Sequence, residues 1–332
     1  MKIRNTLLVC IAISIVACSC GNKATTNNTS IPVVAYEKIS PTFNADSAYN
    51  YVQKQVGFGP RVPNTSQHIA CGNYLVDELK RFGADVIEQK MTLTIYDGKK
   101  INARNIIGSY GLEKKNRVLL FAHWDTRAFA DSDEEKNHHT PILGADDGGS
   151  GVGVLLEIAR NIQMKTPEVG VDIIFFDAED YGTPSFIDKQ PEGDWWCLGS
   201  QYWSKNPHVK GYRAKYGILL DLVGGKDATF YKEYYSKRYA DNIVEKIWST
   251  ARQLDYGKFF ISRDGGAIMD DHVPVNQNMG IPCVDIINYK IESQNESFPA
   301  WHHTINDNMD NISKETLEAV GQTVLEVIYK EK

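Results

Sequence analysis

Four short, nearly unbroken apolar runs decide what this 332-residue chain can fold into: Val118 to Ala122, Ile173 to Phe176, Ile218 to Leu220 and Cys283 to Ile287. None has the regular apolar–polar alternation of a strand with one wet face, so each reads as a strand buried on both faces. Helical spacings separate them. Val152, Leu155, Leu156, Ala159 and Ile162 mark one helix, and Ala240, Ile243, Val244, Ile247, Ala251 and Leu254 a second. Leu317, Val320, Val324, Val327 and Ile328 mark the last, with Ser313 as its N-cap. Upstream, Ala48, Val52 and Val56, then Cys71, Leu75, Leu79 and Phe82, predict two more helices, ending at Gly57 and Gly83. Looser strand patterns cover 86–96 and 103–108. Strands alternating with helices predict an α/β fold, a single-domain α/β/α sandwich around a central, mostly parallel, mixed sheet.

The N-terminus reads as a leader. Lys2 and Arg4 precede an apolar stretch from Leu7 to Ala17, which is signal-peptide length and too short for a permanent membrane span. Ile15, Val16 and Ala17 before Cys18 have the form of a bacterial lipoprotein cleavage site, with Cys20 as a second candidate for lipid attachment. The segment from Lys23 to Ser30 is small and polar, suited to a tether. The chain thus divides into a signal peptide over 1–17, a tether over 18–40 and one domain over 41–332. The expected protein is lipid-anchored in the cell envelope, facing the periplasm, and meets the membrane through that anchor only. A net charge of −6 with no basic run speaks against a nucleic-acid partner. Past the leader only Cys71, Cys197 and Cys283 remain, an odd number that excludes a disulfide framework. Cys71 and Cys283 fall in apolar patterns and read as small core residues.

Chemistry gathers where the elements stop. His123 and Asp125 follow the first run, Asp177, Glu179 and Asp180 the second, and Asp221 ends the third. Asp147 lies in a Gly-rich turn just before a helix, and Trp301, His302, His303 and Asp307 share a segment near the C-terminus. An open α/β sheet collects its ligands at the carboxyl ends of its strands. Zinc takes His nitrogen and carboxylate oxygen, with three protein ligands and an open position in a catalytic site. Adjacent acids such as Glu179 and Asp180 repel unless a cation lies between them or one keeps a proton. Singly, each has an ordinary reading: Asp147 as a turn or cap residue, the acid pair as a solvated loop, a lone His as structural. Their convergence makes an enzyme the leading expectation. The run Trp195 to Leu198 reads as core, and His138 and His139 as part of a solvated loop.

From about Phe58 onward, the ordered set of segments resembles the bacterial zinc-dependent glutaminyl-peptide cyclotransferases, relatives of the co-catalytic zinc aminopeptidases. The resemblance implies a zinc aminopeptidase-like fold with one Zn²⁺ held by Asp147, Asp180 and His303, and Glu179 as general base and acid. It also implies that Asp221 steadies the substrate amide, that Asp270 partners Glu179, and that Trp301 walls the glutamine stem. The implied substrates are peptides or proteins with an N-terminal Gln, cyclised to pyroglutamate with release of ammonia. Three departures stand out. Asp180 replaces the Glu usual in the animal enzymes, Asp285 replaces a His, and His302 is inserted beside His303, so either histidine can be the ligand. A two-zinc aminopeptidase on the same fold would use His123 and Asp221 for a second zinc, Asp147 as bridge and Glu179 to activate water. Ligand counting does not separate the two. A binding-only lipoprotein on a degenerate fold is disfavoured, because base and ligands are intact.

Overall fold

Successive residues of a buried strand face opposite sides of the sheet, and here the two sides build two cores. Leu120, Ala122, Ile173, Phe175, Ile218, Leu220, Val284 and Ile286 enter the larger core. Their neighbours Leu119, Phe121, Ile174, Phe176, Leu219 and Cys283 enter a second one. The computed structural model describes residues 36–289 and 298–332, so the leader, Cys18 and Cys20 lie outside the described residues. The strands are β1 (Asp85–Thr94), β2 (Lys100–Tyr110), β3 (Arg117–His123), β4 (Gly170–Phe176), β5 (Gly217–Asp221), β6 (Phe230–Lys232), β7 (Phe260–Asp264) and β8 (Cys283–Ile287). Six of them form one sheet in the order β1-β2-β4-β3-β5-β8, while β6 and β7 pair separately. β4, β3, β5 and β8 are mutually parallel, and β2 is antiparallel to both its neighbours. The sheet is mixed and mostly parallel, as expected.

The helices are α1 (Ala45–Val56), α2 (Ser66–Arg81), α3 (Gly149–Met164), α4 (Leu198–Lys205), α5 (Tyr234–Gln253), α6 (His272–Met279) and α7 (Lys314–Tyr329). Residues of α1, α2, α3, α5 and α7 fill the larger core. Trp203 of α4 and Val275 of α6 close the other face, which completes the sandwich. Ser313 caps α7 by accepting from the Thr316 N–H, as its position predicts. Gly151 lets α3 lie directly on β5, since a Cβ there would fall 2.1 Å from the Leu220 carbonyl oxygen. β6, β7, α4 and α6 are too short to show a period in the sequence.

The compact unit runs Tyr36–Lys332. Residues 36–40, read as the end of the tether, are docked on α7. The buried Glu326 carboxylate accepts from Tyr36 Oη, Ile39 N and Ser40 N at 2.9–3.2 Å. Among the described residues no helix is long and apolar enough to cross a membrane.

Candidate active site

The parallel strands deliver His123 and Asp221 as their last residues, with Asp177 one step past β4. Beyond β4 the chain turns sharply. Asp177 is buried and accepts from His68 Nε2 and the Arg104 N–H, and Ala178 takes a left-handed φ of 55°. Such a conformation costs a non-glycine residue about 1–2 kcal/mol and needs surroundings that impose it. Asp125 supplies them, accepting from the Glu179 and Asp180 N–H groups at 3.1 and 3.2 Å. Asp307 does the same for the other acid pair, accepting from Asp146 N at 2.8 Å and Asp147 N at 3.1 Å. Two carboxylates therefore hold two pairs of acids in place through the backbone.

Within each pair the roles divide. Asp146 is consumed by structure, taking the Gly224 N–H at 2.8 Å and the Trp301 indole N–H at 3.0 Å. Asp147 faces the cavity, with His123 Nε2 at 3.0 Å, His303 Nε2 at 3.7 Å and His302 Nε2 at 3.8 Å. Asp180 Oδ1 stands 3.2 Å from His303 Nε2, so the structure brings Asp147, Asp180 and His303 together. His303 also has a left-handed φ of 55°, and its ring lies parallel to Trp196 and stacks on His302 at 3.7 Å.

The chemistry of this donor set suits a zinc ion, although Asp180 belongs to none of the groups whose donor atoms all lie within 4.8 Å of one another. Both Asp180 oxygens are buried and accept no hydrogen bond, an arrangement that costs free energy unless a cation compensates it. Two carboxylates and an imidazole are a zinc ligand set with room for a substrate atom. Asp147, His302 and His303 place one donor each within 4.8 Å of one another, as do His123, Asp147 and Asp221. Burial works to raise the Asp147 carboxyl, but the His123 hydrogen bond and the nearby histidines override it and draw it below the usual carboxylate range. Burial, with help from the Arg127 charge, lowers His303 to about 4, so its ring nitrogens are free of the extra proton at neutral pH.

Glu179, Asp221 and Asp270 line a cavity of about 680 Å³ together with Asp147, His302 and His303. Burial pushes the Glu179 carboxyl well above its ordinary value, and Asp270 and Asp180 push further. Burial and the Asp221 charge raise Asp270 to about 7. Burial likewise raises Asp221 to about 6, against the pull of His123 at 3.2 Å. Trp301 stands over Gly225 with its N–H on Asp146. The aromatic lining of the cavity comes instead from Trp196, Tyr289 and Phe298. Trp196, read from sequence as core, is thus a wall residue. Its only sequence signal is an aromatic pair between Gly193 and a short helix.

Residues 105–328 match the family model described as Peptidase family M28, and the chain belongs to that family. Among solved structures it is similar to the glutaminyl cyclase of Tannerella forsythia, at 60% identity over 88% of this chain and 100% of that one, with a TM-score of 0.86. It is equally similar to the Bacteroides thetaiotaomicron glutaminyl cyclase bound to N-acetylhistamine (59% identity, 89% and 100% coverage, TM-score 0.87). A Zn-dependent exopeptidase from Parabacteroides distasonis gives 62% identity over 88% and 100%, with a TM-score of 0.87.

Proposed function

We propose that this protein is a zinc-dependent glutaminyl-peptide cyclotransferase, an acyltransferase that cyclises the N-terminal Gln of peptides and proteins to pyroglutamate and releases ammonia. The observation that carries this is the juxtaposition of Glu179, whose affinity for a proton burial raises, with Asp147 and His303 on one cavity wall and with Asp180 beside His303. The similarity to glutaminyl cyclases over their full length supports it.

A zinc ion on those three residues supplies Lewis-acid polarisation of the substrate's side-chain amide carbonyl. The chain's own groups do the rest. Glu179, with its affinity for a proton raised by burial, accepts the proton of the α-amine as the nitrogen attacks Cδ. It returns that proton to the amide nitrogen, the Cδ–N bond breaks, and ammonia leaves. Asp221 accepts from the amide N–H as the nitrogen becomes tetrahedral. Asp270 shares the acidic wall and keeps the Glu179 affinity high. Trp196 and Phe298 exclude water, whose attack would give deamidation in place of cyclisation. Attack is intramolecular, so holding the stem folded contributes several kcal/mol.

A second reading has one observation behind it. His123, Asp147 and Asp221 could carry a second zinc, which would make a two-zinc aminopeptidase. A Gln-initiated and a Leu-initiated dipeptide, followed by mass, separate the two. Ammonia loss from the first with the second intact supports the cyclase, and cleavage of the Leu peptide overturns it. We further propose anchoring by lipid at Cys18 in the cell envelope, on the strength of the Ile15 to Cys18 pattern. Failure to incorporate labelled fatty acid, or incorporation that survives Cys18→Ser, would remove that assignment.

A further inference from the structure

We infer that Cys197, Glu179 and Asp270 form a second cation site in the cavity wall, selective for thiophilic divalent ions, whose occupation silences the base. One donor atom from each lies within 4.8 Å of the others. Cys197 Sγ is 3.3 Å from Glu179 Oε1. The thiol is held there by backbone that would not otherwise adopt its shape. Cys197 has a φ of 55°, its N–H donates to the Glu179 carbonyl at 3.0 Å, and Leu198 N donates to the Ala178 carbonyl at 3.1 Å. Asp270 is only 4% exposed, and its Oδ2 accepts no hydrogen bond. A buried carboxylate oxygen left without a donor is a group that a cation would satisfy. Asp180 and Asp271 add negative charge around Glu179.

The three donors share no member with the Asp147, Asp180 and His303 set. Sulfur distinguishes the new site. A thiolate favours Zn²⁺ or Cd²⁺, while Mg²⁺ and Ca²⁺ prefer oxygen alone. On binding, the thiol and any protonated carboxyl release their protons to buffer, and their lone pairs pass to the cation. Glu179 then cannot accept a proton from the substrate. Only this last consequence rests on the cyclase reading, because the site itself is defined by its donors.

Cd²⁺ titrated into the full-length protein already loaded with one zinc tests the site. The expected result is a second bound equivalent with a thiolate-to-cadmium charge-transfer absorption, and loss of Gln-peptide turnover in step with it. Cys197→Ser should abolish the absorption and raise the inhibitory concentration by about tenfold or more, the least that even an outer partner of a metal costs. Asp270→Asn keeps the thiol and should weaken the absorption's onset similarly, which covers the case in which Cys197→Ser does not fold. A missing absorption in the unaltered protein, or identical onset in Asp270→Asn, overturns the site. Binding with the expected absorption but no Gln turnover at any cadmium level would leave the site standing and sink the cyclase reading.

Discussion

Asp131 Oδ1 stands 3.6 Å from Nδ1 of His303, the ring nitrogen turned away from Asp147 and Asp180. Asp131 is itself locked, accepting from Arg127 Nε at 2.9 Å, Arg127 Nη2 at 2.6 Å and Ser185 N at 2.8 Å. The same guanidinium donates to the Asp180 carbonyl at 3.0 Å. One buried arginine therefore bears on two of the three proposed metal donors, on Asp180 through its carbonyl and on His303 through the Asp131 carboxylate that faces the far ring nitrogen. Asp131→Asn should lower zinc affinity about 10–100-fold, read by competition with a chelator. An unchanged affinity would strip Asp131 of this role.

Glu179→Gln removes the proton acceptor while keeping the volume. Turnover of a Gln-initiated peptide should fall on the order of 10²–10⁴-fold, with zinc content unchanged by metal analysis. Residual activity near the parent level would place the base elsewhere.

The acidic wall makes metal-free stability depend on pH with a definite sign. In the fold Asp146 and Asp221 titrate at about 6 and Asp270 at about 7, burial being the main cause in each. An unfolded Asp titrates near 3.9. Between about pH 4 and 7 these three carboxyls thus hold more protons in the metal-free fold than in the unfolded chain. The stability they contribute falls as pH rises through that window, with His303 at about 4 acting in the opposite sense. Asp131, drawn down to about 2 by Arg127 against its burial, acts oppositely and only below about pH 4. The Tm of chelator-treated protein should drop from pH 5 to pH 8, and zinc should flatten the slope by favouring the charged carboxylates. A Tm that climbs over that range would contradict the burial of these groups.

The tryptophans can be told apart by what each loses. Trp301→Phe leaves Asp146 Oδ2 without its donor, so about 1–3 kcal/mol of stability should go, visible as a lower denaturant midpoint. Trp196→Ala removes cavity wall and the ring lying over Arg127, so it should raise KM for the Gln peptide. If Trp301→Phe raises KM and leaves stability intact, Trp301 is the substrate wall after all.

The large features were legible in the chain because they are periodic or repeated. β3, β4, β5 and β8 announce themselves as apolar runs, and α3 and α7 by their spacing. Asp147, Asp180 and His303 could be named as a set only through the family resemblance that their short motifs carry. Asp125, Asp307, Arg127 and Asp131 could not be given roles. Their work is done on backbone N–H groups, carbonyls and a far ring nitrogen supplied by segments distant in sequence. Cys197 was equally opaque, since its meaning depends on a left-handed φ that no residue type there advertises. For Asp147 over Asp146 the fold adds the physical reason, because the Gly224 and Trp301 donors already occupy Asp146.

The three proposed metal donors come from a turn before α3, a turn after β4 and a segment beyond β8. An unfolded chain does not hold those three positions together, so the ion is in effect a ligand of the native state alone. Mass action then adds its binding free energy to the fold. A shortage of zinc would then cost the molecule stability as well as turnover, tying the fold to the supply of a trace element.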